Sequence, residues 1–172
     1  ARFLPQGQRS IGLTLFQNVG TTQKPKYRLV DRDWLGMNQY NKENFALAPT
    51  FGDLDGDNDL DILVGSEFGL MYYAENIAGP NQTMKFGLWQ AKYMNIDIGQ
   101  GAVPQIVDID GDKLLDLVVG NRSGHISYFK NTGTNKVAKF AKDPTIQRLG
   151  GVNGRDQNDY VNFYGYGAPL FF

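Results

Sequence analysis

The stretch GDLDGDNDLDILVGSEFG, residues 52–69, places an aspartate at every second position from Asp53 to Asp61 and then turns apolar. In an extended strand the two-residue period would put all five carboxylates on one face, where neighbouring like charges repel. Two such charges about 4 Å apart cost roughly 4 kcal/mol at an effective dielectric near ~20, so a closed loop of them opens unless a cation lies among them.

The stretch has a counterpart in VPQIVDIDGDKLLDLVVGNRSG, residues 103–124. Aligning Asp53 with Asp108 sets a period of 55 residues, and the same offset carries Pro49 onto Pro104, Gly65 onto Gly120, Gly69 onto Gly124 and Asn76 onto Asn131. An upstream copy shows in its tail: GLTLFQN, ending at Asn18, parallels LMYYAEN, ending at Asn76, and HISYFKN, ending at Asn131. Downstream, GYGAPLFF parallels FALAPTFG and GAVPQIVD. Each proline precedes its first aspartate by four residues, so Pro169 would put the next one at 173, just past the last residue. The repeat units are therefore approximately 1–44, 45–99, 100–160 and 161–172: the rear half of one, two in full, and the leading strand of another.

Within the first full unit, short apolar runs between turn residues predict strands at 48–51, 60–64 and 70–74 and a looser one at 86–92. The second unit predicts them at 103–107, 114–119, 125–129 and 139–141. Four short strands per repeat make a propeller blade. The expected fold is all-β, with blades of four antiparallel strands, the whole of 1–172 forming one partial β-propeller region that is incomplete or a piece of a larger ring. Insertions between units, at 34–44 and 150–166, are rich in Gly, Asn and Asp and read as surface loops.

Bulk properties narrow the partners. A formal net charge of −1 without a basic cluster argues against nucleic acid and anionic membranes, and no apolar run reaches the length of a membrane span. The absence of cysteine excludes disulfides and thiolate metal sites. The start, ARFLPQGQRS, has neither an initiator Met nor a signal-peptide pattern, which suggests a processed or excised piece.

The two acidic loops hold nine of the 18 Asp and Glu residues. The spacing D-x-D-G-D-x-x-x-D supplies carboxylates at relative positions 1, 3, 5 and 9, with a backbone carbonyl at 7. In the first loop these are Asp53, Asp55, Asp57 and Asp61 with the Asp59 carbonyl; in the second, Asp108, Asp110, Asp112 and Asp116 with the Leu114 carbonyl. Gly56 and Gly111 allow the reversal that turns the carboxylates inward. All-oxygen ligation by a flexible loop fits Ca²⁺ better than Mg²⁺, so two calcium sites are expected, each tying the first strand of a blade to the second. The position-12 glutamate of an EF-hand is replaced by Val64 and Val119, and a β-branched strand follows each loop where an EF-hand has a helix.

These motifs, with the paired tails GLMYYAEN and GHISYFKNTG and the terminal YGYGAP, resemble the FG-GAP and VCBS-type calcium-binding repeats of the integrin alpha-subunit propeller and of many secreted bacterial proteins. The match covers most of Leu13 to Phe172, and the family's calcium ligands fall on the positions already named. The resemblance implies a propeller of about seven blades, extracellular or at the cell surface, used for adhesion and for recognition of proteins or glycans. Some three blades of chain do not close a ring of four to eight, so the remainder of a larger propeller is an expected partner.

Other residues carry less. His125, the single histidine, occupies a third strand where Leu70 stands in the other unit and reads as an outward polar position; with no cysteine, most nucleophile–base triads are excluded. Tyr72, Tyr73, Tyr128, Phe129, Phe16, Phe86 and Phe140 recur at matching places and read as packing between sheets. Trp34, Trp89, Tyr164 and Tyr166 lie in variable segments where a lectin site could be built. The functional expectation is a calcium-stabilised binding scaffold of a secreted or cell-surface protein, not itself an enzyme. A lectin-like module ranks second and an accessory propeller of an exported carbohydrate-active enzyme third. Export follows from affinity, since extracellular calcium modules bind at about 10⁻⁴–10⁻³ M and would stand empty in a resting cytosol.

Overall fold

Runs of four or five apolar and aromatic residues broken by Gly, Asn and Asp are too short for helices and match the usual length of strands. The computed structural model describes residues 12–40, 46–154 and 165–171. It is all-β, with three small antiparallel sheets, and divides into two compact units, Ala1–Leu47 and Ala48–Phe172.

In the first unit, β1 (Leu13–Asn18) pairs with β2 (Tyr27–Trp34). The reversal between them is held by Asn18, whose Oδ1 accepts the backbone N–H groups of Gly20 at 2.9 Å and Lys26 at 3.0 Å. A single 3₁₀ turn, Met37–Tyr40, follows and buries Met37. The anticipated insertion at 34–44 thus starts at the end of β2; its residues 41–44 lie outside the described residues.

The second unit holds two meanders. The first runs β3 (Ala48–Gly52), β4 (Asp61–Gly65), β5 (Met71–Ala74) and β6 (Gln90–Ala91). The second runs β7 (Val103–Val107), β8 (Asp116–Gly120) and β9 (Ile126–Phe129). Register repeats with the sequence: Pro49 faces Val64 and Gly52 faces Asp61, as Pro104 faces Val119 and Val107 faces Asp116. Both central strands, DILVG and DLVVG, are buried along their whole length, which is why they read as continuous apolar runs without alternation. Leu63, Met71, Tyr73 and Ile96 meet Ile106, Leu117, Val119 and Phe129 in one core between the sheets.

The fourth strands depart from expectation. In the first meander, 86–92 contracts to the two-residue β6 plus an isolated bridge between Asn76 and Phe86. In the second, 139–141 forms no strand; a single bridge joins Tyr128 to Ile146 instead. The cause is tertiary packing: Phe140 turns its ring into the core and donates its N–H to Met94 Sδ at 3.1 Å, while Pro144 has no N–H to offer a ladder. The other expected insertion, 150–166, begins with a 3₁₀ turn at Leu149–Gly151, and its residues 155–164, Tyr164 among them, lie outside the described residues.

One docking step occurs twice. Gly101 and Ala102 donate N–H groups to the carbonyls of Glu67 and Ser66 at 2.8 and 2.9 Å; Tyr166 and Gly167 do the same to Arg122 and Asn121 at 3.4 and 2.8 Å. The side chain of Thr50 accepts the Ile106 N–H at 3.4 Å, as that of Gln105 accepts the Phe171 N–H at 2.9 Å. Gly65 and Gly120 make room for this approach: a Cβ on Gly65 would stand 2.3 Å from the Ala102 carbonyl oxygen, and one on Gly120 2.1 Å from that of Gly167. Residues 165–171, described without a strand of their own, therefore lie against the second meander as β7 lies against the first.

Candidate metal centres

Both acidic loops are shaped by their own aspartates before any ligand is considered. Asp53 accepts the N–H groups of Gly56 at 2.6 Å and Asn58 at 3.1 Å; Asp108 accepts those of Gly111 at 2.8 Å and Lys113 at 3.0 Å. Asp55 accepts from Asp57, and Asp57 from Asp59, at 3.3 and 3.0 Å; Asp110 accepts from Asp112, and Asp112 from Leu114, at 3.2 and 2.9 Å. Such side-chain-to-backbone turns fold a chain tightly without secondary structure. The reversal passes through left-handed backbone at Gly56 (φ +75°) and Gly111 (φ +78°), where glycine carries no Cβ penalty.

The ninth position anchors the loop to the sheet. Asp61, fully buried, accepts the Leu54 N–H at 3.0 Å with one oxygen and the Asn76 N–H at 2.9 Å with the other. Asp116 repeats this with Ile109 at 3.3 Å and Asn131 at 2.8 Å. The asparagines so held each close the following turn, as Asn18 does: Asn76 Oδ1 accepts from Ala78 and Lys85, and Asn131 Oδ1 from Gly133 and Lys139.

Carboxylate oxygens converge in both loops. Asp53, Asp55 and Asp57 bring one oxygen each within 4.8 Å of one another, and so do Asp108, Asp110 and Asp116. Ligands on opposite sides of Ca²⁺, at 2.3–2.6 Å from the ion, are about 5 Å apart, so both sets fit a hard divalent cation, while the oxygens alone do not choose the metal. Each cluster contains three of the four expected carboxylates; Asp61 and Asp112 complete the sequence sets without belonging to the clusters. Asp59 and Leu114, assigned through their carbonyls, sit at matching positions, but the Asp59 side chain has its own task. One oxygen accepts the Gly79 N–H at 2.7 Å, and the other is buried without a hydrogen-bond donor.

Electrostatics separates the loops. In the first, burial together with the Asp61 and Asp57 charges pushes the Asp55 carboxyl up to about 6, and burial raises Asp61 against the opposing pull of its backbone donors. In the second, Asp110, the counterpart of Asp55, is held below the usual carboxylate range by the Lys130 ammonium. Lys130 contacts Asp110 and lies 2.6 Å from Asp112. The Tyr128 hydroxyl donates to Asp110 and Asp116, both at 3.2 Å, and Tyr73 hydrogen-bonds Asp61 in the same manner; burial and these carboxylates push both phenols upward.

Sequence reading missed these supports. Tyr73 and Tyr128 were visible as repeated aromatics, but their packing role concealed the hydroxyl. Of the aromatics of the sugar-binding reading, Tyr166 is engaged within the second unit: its ring lies 5.7 Å from the Arg122 guanidinium, which also pairs with Glu67 at 2.7 Å. His125 donates its backbone N–H to Asn121. No family model, no curated protein and no solved structure matches the chain.

Proposed function

We propose that this chain is a calcium-stabilised segment of a β-propeller of the FG-GAP and VCBS type, belonging to a secreted or cell-surface protein and serving as a scaffold for binding proteins or glycans. The observation that carries the reading is the recurrence, 55 residues apart, of the same hydrogen-bonded acidic loop between the same two strands. A duplicated site that joins a loop to a fully buried strand suits structural ions better than catalytic ones. The repeated docking step is what successive blades of a ring need. The scaffold acts through binding and not through chemistry of its own, with the rest of a larger propeller as its immediate partner.

Calcium titration of the full chain, followed by thermal unfolding, tests this. An ion that binds only the folded state stabilises it by about 2.7 kcal/mol at a hundredfold excess over Kd. The expected result is a melting temperature that rises through about 10⁻⁴–10⁻³ M calcium and falls back on chelation. Asp57→Ala should remove part of that rise. A melting temperature indifferent to calcium would overturn the reading, and a submicromolar affinity would remove the argument for export.

A further inference from the structure

The two loops share the turn-forming backbone hydrogen bonds of their first, third, fifth and ninth aspartates, and the bond from Gly79 to Asp59 belongs to the first loop, so the remaining differences lie in side-chain charge. At the sixth position Asn58 is answered by Lys113, at the seventh Asp59 by Leu114, and at the end of the third strand Glu75 by Lys130. The first loop thus lies among six carboxylates with no lysine at these positions, and the second among four with two lysines.

We propose that Lys130 is the built-in counter-ion of the second loop, which makes the two loops unequal cation sites: the first depends on a divalent ion, and the second is closed by its own ammonium. This rests on the calcium reading above and adds to it which loop needs the metal. Lys130 Nζ lies against Asp110 Oδ2 and Asp112 Oδ2, on two residues that the spacing assigns as ligands three and five. A divalent ion using those oxygens must first displace the ammonium. The lysine is fixed at its base, because its N–H donates to Thr145 Oγ1 at 3.0 Å and the next residue, buried Asn131, is tied to Asp116. Glu75, at the same strand end, adds a negative charge where Lys130 adds a positive one, so no ammonium occupies that position in the first loop.

Calorimetric titration of the full chain with Ca²⁺ tests the asymmetry, with Asp57→Ala and Asp112→Ala assigning each site to its loop. Wild type should show two classes of site about tenfold or more apart, the weaker one lost in Asp112→Ala. Lys130→Glu should bring the second site close to the first, and Glu75→Lys should weaken the first by about tenfold. In chelator, Lys130→Met should lower the unfolding midpoint, and calcium should restore it. Two sites of equal affinity in wild type, or a weaker site unmoved by Lys130→Glu, overturns the role of Lys130 while leaving the calcium reading in place. No calcium binding by either wild type or Lys130→Glu overturns the calcium reading and this inference with it.

Discussion

Asp116 shows how much one buried carboxylate can organise. It accepts the N–H groups of Ile109 and Asn131 and the hydroxyl of Tyr128, connecting the acidic loop, the start of β8 and the end of β9. Asp116→Ala leaves the two backbone donors without their acceptor and the Tyr128 hydroxyl with Asp110 alone, so it should cost about 3 kcal/mol in urea unfolding even in chelator, where no ion contributes. An equal loss only in the presence of calcium would show that the residue acts solely as a ligand. Asp59 offers the contrasting case. Its pairing with Leu114 in the repeat makes its side chain look dispensable, yet that carboxylate holds the Gly79 N–H. Asp59→Ala is expected to cost about 1 kcal/mol with or without calcium, leaving calcium affinity nearly unchanged. Loss of the first site in this variant would place the carboxylate itself on the ion.

At the scale of elements, the inner strands were legible because β4 and β8 are bounded by the same Asp and Gly and filled by Ile, Leu and Val. Their partners β3 and β7 share a proline at one register position. The fourth strands were not, since a strand at the margin of a sheet is defined by few pairings, and whether Phe140 faces a ladder or the core depends on Met94, 46 residues away. Gly65 and Gly120 were visible as repeated letters without a reason; the reason is the passage of the next segment's backbone. Gly65→Ala would drive a methyl group to 2.3 Å from the Ala102 carbonyl oxygen, and backbone cannot swing aside as a long side chain can. We expect about 2–3 kcal/mol of destabilisation, measured by denaturant midpoint, with hydrogen exchange quickening at Ala102 and along β7. An unchanged midpoint would mean that the two sheets do not approach as described.

Over the second unit as a whole, the acidic repeat imposes a condition on neighbouring phenols. Tyr73 and Tyr128 point hydroxyls at Asp61 and Asp116. Tyr93, stacked on Tyr73 with ring centres 4.7 Å apart, is pushed up to about 12 by burial and by the Asp61 charge. All three rise above the ordinary tyrosine value near ~10, so between that value and the folded-state value the unfolded chain releases protons that the folded chain retains. Stability contributed by these groups is therefore complete below pH ~10 and declines as pH climbs toward and through about 12. Denaturant midpoints measured from about one pH unit below ~10 to about one and a half above it should hold level and then fall. Tyr93→Phe should flatten part of that fall while leaving the neutral-pH plateau nearly in place, because the ring and its stacking are retained. A midpoint that stays level to the alkaline end, with tyrosinate absorbance rising at pH ~10 in the folded protein, would contradict the burial of these hydroxyls beside the loop carboxylates.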